Sequence, residues 1–110
     1  MASVYKILGQ ARPTDTNALD LYTVPAGGQT VISTIMVANV TATDAVFDLF
    51  ARPDAATADE GTAIAFGSRV AANTSVSITL GATVDAADVI SVRSGTSNSV
   101  TFTAFGLEIS

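Results

Sequence analysis

The 110-residue sequence contains no histidine, no cysteine and no tryptophan. Without cysteine the chain can form no disulfide and offers no thiol nucleophile, and without histidine it lacks the base of every imidazole-dependent triad. The absence of both residue types also excludes the usual zinc sites. We therefore predict that the protein is not an enzyme and has no catalytic, cofactor-binding or metal-binding residues.

Charged residues are also scarce. They make up 14% of the chain, compared with the roughly 25% of typical soluble proteins, and the mean hydropathy is +0.45. Ten acidic and five basic residues give a net charge of -5, which repels nucleic-acid phosphates unless the basic residues cluster. The basic residues are widely spaced in the sequence, namely Lys6, Arg12, Arg52, Arg69 and Arg93. We therefore predict no nucleic-acid partner.

Neither a leader nor a membrane span is predicted. Residues 1–6 lack a charged start followed by an apolar run, so we expect no cleaved signal peptide. Residues 22–43 carry no charge, yet they include proline, glycine, glutamine and asparagine, which hydrocarbon tolerates poorly. A buried pair of strands explains this stretch better than contact with a membrane does.

Apolar and polar residues alternate along much of the chain, and no window of a dozen residues carries a helical apolar stripe. Turn signals recur about every 8 to 12 residues, which is typical of β-sandwiches and jelly rolls. We predict one all-β domain over residues 1–110, an antiparallel β-sandwich or jelly roll of about eight strands. The predicted strands cover residues 3–9, 19–24, 29–40, 45–52, 62–70, 75–80, 89–93 and 99–109.

Three local features accompany this pattern. Gly67 predicts a bulge in the fifth strand. Phe102 and Phe105 have opposite parity, which predicts a bulge or bend between them in the last strand. Residues 53–61 are rich in alanine, aspartate and threonine and predict an exposed, mobile loop.

Two predicted strands, residues 29–40 and 99–109, are apolar on both faces. The first strand, residues 3–9, also has apolar groups on both sides, and we expect each side to be partly covered. Small alanine and valine side chains bury little area each, so a domain of this size gains little from its own core. We hypothesise that the surplus apolar surface faces a neighbouring subunit in a homo-oligomer.

Carboxylates occur in two groups that could carry chemistry. Asp54, Asp59 and Glu60 form one group, and Asp85 and Asp88 form the other. General acid and base catalysis needs an apolar pocket that raises one pKa, whereas these residues lie in short polar turns. Calcium is the alternative for the first group, although its spacing matches no EF-hand. We interpret both groups as solvated turn residues.

Asp48 and Glu108 each lie between apolar neighbours in a predicted strand. Arg52, Arg69 and Arg93 lie in or beside strands, from which a guanidinium could reach a carboxylate. The alternatives for Asp48 are an ion pair, within or between subunits, and a solvent-facing carboxylate with no specific partner. We favour the second for Asp48 and likewise place Glu108 on the outer face.

Exposed aromatic rings would be needed to bind sugars on a flat sheet. Tyr5 and Tyr22 are the candidates because their rings are amphipathic.

Asn39 and Asn73 begin triplets of the glycosylation type, but without an export signal we interpret both triplets as chance.

Several segments resemble small virion proteins of tailed bacteriophages. Residues 21–27 read Leu-Tyr-Thr-Val-Pro-Ala-Gly, and residues 6–10 and 35–39 flank this motif with similar segments. The likeness continues through an alanine-rich loop and a polar strand to a Phe-Gly-Leu-Glu tail at residues 105–108. It therefore spans nearly the whole chain.

This resemblance implies a structural protein of the virion, assembled in the host cytoplasm. Such proteins either decorate the capsid or form part of the tail, and we expect a capsid decoration, or cement, protein that binds the outer surface of the major capsid protein and stabilises the head. A homotrimer at local symmetry axes is the expected assembly. The alternatives are a domain associated with the tail, baseplate or fibre, and a receptor-binding or glycan-binding module.

Overall fold

The computed structural model describes residues 3–109, which form eight β-strands. The strands are β1 (Ser3–Ala11), β2 (Leu19–Thr23), β3 (Gln29–Asn39), β4 (Ala45–Arg52), β5 (Ala63–Val70), β6 (Ser75–Asp85), β7 (Val89–Ser94) and β8 (Val100–Ile109). Two short 3₁₀ turns, Pro53–Ala55 and Glu60–Thr62, lie between β4 and β5. The predicted all-β fold is confirmed. Within the described range, no helix is long and apolar enough to cross a bilayer.

Two strands extend two or more residues beyond their predicted ends. β1 continues to Ala11 because its last residues still pair with β8. β6 continues past residue 80 because residues 82–85 pair with residues 29–32 of β3. Gly81 has a φ of 63°, a left-handed conformation that glycine adopts without steric cost, and the register shifts at this point.

The strand order identifies a jelly roll. One sheet, here sheet A, has the order β1-β8-β3-β6, and the other, sheet B, has the order β2-β7-β4-β5. The antiparallel pairs are nested, since β1 pairs with β8, β2 with β7, β3 with β6 and β4 with β5. A single long hairpin that rolls up into two sheets gives this arrangement, and the β3–β8 and β4–β7 pairs complete the sheets.

The core lies between the inner faces of the two sheets. Sheet A contributes Ile35 and Phe102, and sheet B contributes Phe47 and Leu49, all of them buried. The rings of Phe47 and Phe102 meet edge to face, with centroids 6.1 Å apart and an interplanar angle of 71°. This aromatic pair joins the sheets at the centre of a core otherwise built largely from aliphatic side chains.

The bulge predicted at Gly67 is confirmed. Phe47 pairs with Ser68 and Leu49 with Ala65, so Asp48 stands opposite two residues of β5. Gly67 has a φ of 63°, which explains why glycine suits this position.

The bulge predicted between Phe102 and Phe105 is wrong in its location. β8 is regular, and the extra residues lie in its two neighbours, Leu8 in β1 and Ser33 in β3. Phe102 points into the core, while Phe105 lies on the outer face of sheet A. The two rings have opposite parities because Phe102 faces the core and Phe105 faces the outside of the same regular strand.

Candidate functional site

The carboxylates of Asp59, Asp85 and Asp88 stabilise turns. Asp88 accepts hydrogen bonds from the backbone N–H groups of Asp54 and Asp85, each at 2.9 Å. These two bonds hold the pKa of Asp88 below its usual value, because they favour the charged carboxylate. Asp88 thus ties the first turn after β4 to the β6–β7 turn.

Asp59, in the other acidic group, has the same role. Asp59 accepts a hydrogen bond of 2.8 Å from the backbone N–H of Gly61, and the Thr62 hydroxyl accepts one from the Asp59 backbone. This reciprocal pair is a capping box at the second 3₁₀ turn. In the part of the chain that the structure describes, no three histidine, cysteine, aspartate or glutamate side chains form a group that could hold a metal ion.

Arg52 connects the start of the residue 53–61 loop to sheet B. Its guanidinium donates to Asp20 at 2.7 Å and to Ser91 at 2.9 Å, and further N–H groups donate to the carbonyls of Ala55 and Ala56. The loop is largely exposed, as predicted, but its first turn is fixed by this side chain. Its mobility stays a prediction.

The interpretation of Asp48 as a carboxylate without a specific partner is wrong. Asp48 accepts hydrogen bonds from Arg93 Nε at 2.8 Å and from the Gly67 backbone N–H at 2.6 Å. The Arg93 guanidinium lies 5.3 Å from the Phe50 ring centroid and 5.6 Å from that of Phe66. The alternative ion pair is therefore present, and the Arg93 guanidinium also lies close to two aromatic rings.

The Asp48→Asn variant tests how much this ion pair contributes to the free energy of unfolding. An amide oxygen can still accept from Gly67, but the charge opposite Arg93 is lost. We expect the free energy of unfolding to fall by about 1–2 kcal/mol, since the side chains of Asp48 and Arg93 are only 14% and 33% exposed. Chemical denaturation measures the change.

Asp44→Asn is the matched control for that variant. Asp44 also accepts from a backbone N–H, that of Ala72, and also pairs with an arginine, Arg69. This pair is longer, at 3.8 Å, and its side chains are 55% and 74% exposed, so its loss should cost less than about 0.5 kcal/mol. Equal effects of the two substitutions would contradict a specific role for Asp48.

Glu108 does not lie on the outer face, which corrects the second carboxylate prediction. Its carboxylate accepts from the Tyr22 hydroxyl at 2.5 Å and from Lys6 Nζ at 3.1 Å. The Tyr22 oxygen also lies 2.8 Å from Oγ1 of the buried Thr30. The network joins β1, β2, β3 and β8 and thereby links the two sheets.

This network shifts two pKa values. Burial, reinforced by the hydrogen bond to Glu108, raises the pKa of Tyr22 to about 12. The hydrogen bonds from Tyr22 and Lys6 hold the pKa of Glu108 below its usual value. Glu108 therefore contributes stability above its ordinary pKa of 4.5, and that contribution is lost as the pH falls through the lowered value.

Tyr22, a candidate ring for stacking on sugars, and Asn39, a candidate glycan acceptor, both have side chains engaged in structural contacts. Tyr22 is buried, so its ring is not available to stack on a sugar, and Tyr5 is left as the exposed tyrosine. Asn39 is buried and its amide donates to the carbonyls of Thr43 and Val70. The Asn39 side chain is therefore not free to accept a glycan, while Asn73 lies in a turn with a positive φ.

Most of the basic residues form ion pairs. Four of the five pair with carboxylates, namely Lys6 with Glu108, Arg52 with Asp20, Arg69 with Asp44 and Arg93 with Asp48. Pairing neutralises most of the positive charge locally.

The outer face of sheet A carries an uncovered apolar surface, here called the β1 patch, formed by Tyr5, Ile7, Val31, Phe105 and Leu107. Tyr5, Leu107 and Val31 form one row across three neighbouring strands, and Ile7 and Phe105 form the next. Tyr5 is 85% exposed and Ile7 is 56% exposed. Together with Lys6, Ser33 and Gly106, these side chains line an open depression of about 550 Å³.

Three exposed apolar side chains lie on sheet B, namely Val46 on β4 and Ile64 and Phe66 on β5. Val46 pairs with Arg69, whose side chain is 74% exposed, whereas Phe66 lies opposite Asp48. These side chains are therefore interrupted by charged residues, unlike those of the β1 patch.

These side chains belong to an eight-stranded jelly-roll domain, and comparison with known proteins assigns it no family. No protein-family model matches the chain, and no curated protein matches it in sequence.

Proposed function

We propose that this protein is a structural component of a tailed-phage virion and that it decorates the capsid, binding the outer surface of the major capsid protein as a homotrimer. The observation that carries the proposal is the β1 patch, an apolar surface left uncovered on the outer face of sheet A in a chain of low charge. An uncovered apolar patch is a common site of contact with a partner protein. The sequence resemblance to small virion proteins supports the same function.

The fold is compatible with this proposal, but it is equally compatible with other functions. Jelly rolls build viral capsid domains, and they also build lectins and other proteins. A lectin function would need aromatic rings positioned for stacking on sugars. Burial of Tyr22 removes one of the two candidate rings, so the structure favours assembly over glycan binding.

Labelling of virus particles tests the proposal. Antibody against the protein, detected by immunogold electron microscopy, should label the heads of particles of the phage whose genome encodes the chain. Purified protein should also bind emptied heads that lack it, with saturation at a fixed number of copies. Label confined to tails or baseplates would overturn the capsid assignment in favour of the tail alternative, and unlabelled particles would overturn a virion role altogether.

A further inference from the structure

The first half of β1 is a free sheet edge. β1 lies at one edge of sheet A, and in the described part of the chain the backbone of residues 3–7 pairs with β8 and with no other segment. Every second residue of an edge strand directs its N–H and C=O groups away from the sheet, where they lack a backbone partner. At Gly9 the strand lies against the Leu21 carbonyl of β2, which leaves no room for a side chain. The free edge therefore covers residues 3–7, a length of roughly 17 Å.

The other three edge strands carry features that disfavour pairing with a further strand. β2 is only five residues long, β5 contains the bulge at Gly67, and β6 is interrupted by the irregularity at Gly81. Short length and bulges are common protections of sheet edges. Residues 3–7 lack them, because their register with β8 is regular and they contain no proline and a single charged residue, Lys6.

Side chains on both sides of this edge are exposed and apolar. Tyr5 and Ile7, on the outer face, are 85% and 56% exposed. Val4 points to the opposite side of the strand and is 52% exposed. A strand placed beside residues 3–7 would therefore find apolar side chains to pack against on both of its faces.

We propose that residues 3–7 bind an extended segment of a partner protein, which adds to sheet A as a further strand beside β1. In this mode of recognition, main-chain hydrogen bonds supply affinity and alternate side chains supply specificity. The residues of the segment beside Tyr5 and Ile7 are expected to be apolar. The residue beside Lys6 is expected to be acidic, because opposite charges on neighbouring strands attract.

This inference goes beyond the proposed function and does not depend on it, since it follows from the backbone and side chains of a single chain. The added strand would cover Tyr5 and Ile7 at the rim of the β1 patch. Val31, Phe105 and Leu107 lie on the inner strands β3 and β8 and stay open to other contacts.

The length of the edge favours a short segment over a second copy of this chain. A stable dimer buries about 800 Å² on each partner, contributed by about 20–30 residues a side. Residues 3–7 supply far fewer. Antiparallel pairing of two such edges, centred on Tyr5 or Lys6, would also bring the two Lys6 side chains close together.

Peptide selection tests the proposal. A displayed library of random peptides is selected on the immobilised 110-residue chain, and the enriched sequences are synthesised. They should share apolar residues at alternate positions over about five residues, with an acidic residue between them. When such a peptide binds, amide hydrogen exchange should slow in β1 and stay unchanged in β6.

N-methylated peptides distinguish strand pairing from contact through side chains alone. An N-methyl group removes an N–H donor, and only every second residue of an added strand directs its N–H toward β1. Methylation of one alternate set of amides should weaken binding at least about tenfold, whereas methylation of the other set should change it less than about threefold. Equal effects of the two sets would overturn strand addition.

Two double variants locate the edge that binds the peptide. Tyr5→Lys with Ile7→Lys places charge on the free edge of β1 and should weaken binding at least about tenfold. Ser75→Lys with Thr79→Lys makes the same change of charge on exposed positions of the edge strand β6 and should leave binding unchanged. Circular dichroism checks that both variants are folded.

Three further results would overturn the proposal. The first is a library that yields no enriched binder, and the second is a peptide that binds wild type and the β1 variant equally well. The third is slow exchange of residues 3–7 in a wild-type oligomer without peptide, lost in the β1 variant, because a second copy would then occupy the edge. Labelling of phage heads is a separate measurement, so its failure would refute the proposed function and leave peptide binding untouched.

Discussion

Replacing Phe102 by alanine is expected to lower the free energy of unfolding by about 3–5 kcal/mol. Phe102 is fully buried in β8, an inner strand of sheet A, and its ring contacts Phe47 of sheet B edge to face. The substitution removes this contact and leaves a cavity. Most surrounding side chains are aliphatic and cannot extend to fill the space.

Phe66→Ala is the matched control for this prediction. It deletes the same atoms from a ring that is 53% exposed and lies over Arg93. We expect it to cost less than about 1 kcal/mol in dilute solution, where association does not contribute. Chemical denaturation compares the two variants, and similar losses would contradict the assignment of Phe102 to the centre of the core.

Tyr22 is expected to ionise about a hundredfold less readily than an ordinary tyrosine, because its pKa is raised from 10.0 to about 12. The folded state holds the neutral phenol more tightly than the unfolded state does. This contribution is complete below pH 10 and is lost as the pH rises to about 12. The loss amounts to about 2–3 kcal/mol of stability across that interval.

The two tyrosines of the chain make this shift measurable by phenolate absorbance. In Tyr5→Phe the remaining phenol is Tyr22, and its titration should be centred near pH 12 while circular dichroism reports a folded protein. Tyr22→Phe should lack both this step and the associated loss of stability. A midpoint near pH 10 in folded Tyr5→Phe would contradict the buried network with Thr30 and Glu108.

The alternating pattern was sufficient to predict the strands because each strand has an inner and an outer face. It predicted the solvent-exposed outer face of β6, where serine and threonine alternate with half-buried aliphatic residues. It could not locate the bulges at Leu8 and Ser33, because register is a property of paired strands and neither residue is unusual in its own segment. The parity of Phe105 did indicate an irregularity in the sheet. The predicted bulge was placed in β8, whereas the extra residues lie in β1 and β3.

Side-chain partners were less predictable than strands. Asp48 and Arg93 are 45 residues apart, and only the pairing of β4 with β7 places them opposite each other. The Tyr22–Glu108 contact likewise needs the two sheets to be stacked. The apolar surplus of residues 29–40 and 99–109 did indicate an uncovered face. The large share of that face contributed by Tyr5 and Ile7 was missed, because β1 was expected to be partly covered on both sides.

The solution mass of the purified 110-residue chain, measured by size-exclusion chromatography with light scattering over a wide concentration range, tests the central claim most directly. The uncovered β1 patch predicts a stable oligomer, and the proposed homotrimer has three times the chain mass of 11.1 kDa. A monomer that persists at high micromolar concentration would contradict assembly through this surface and would favour a domain that acts alone or is carried by the tail.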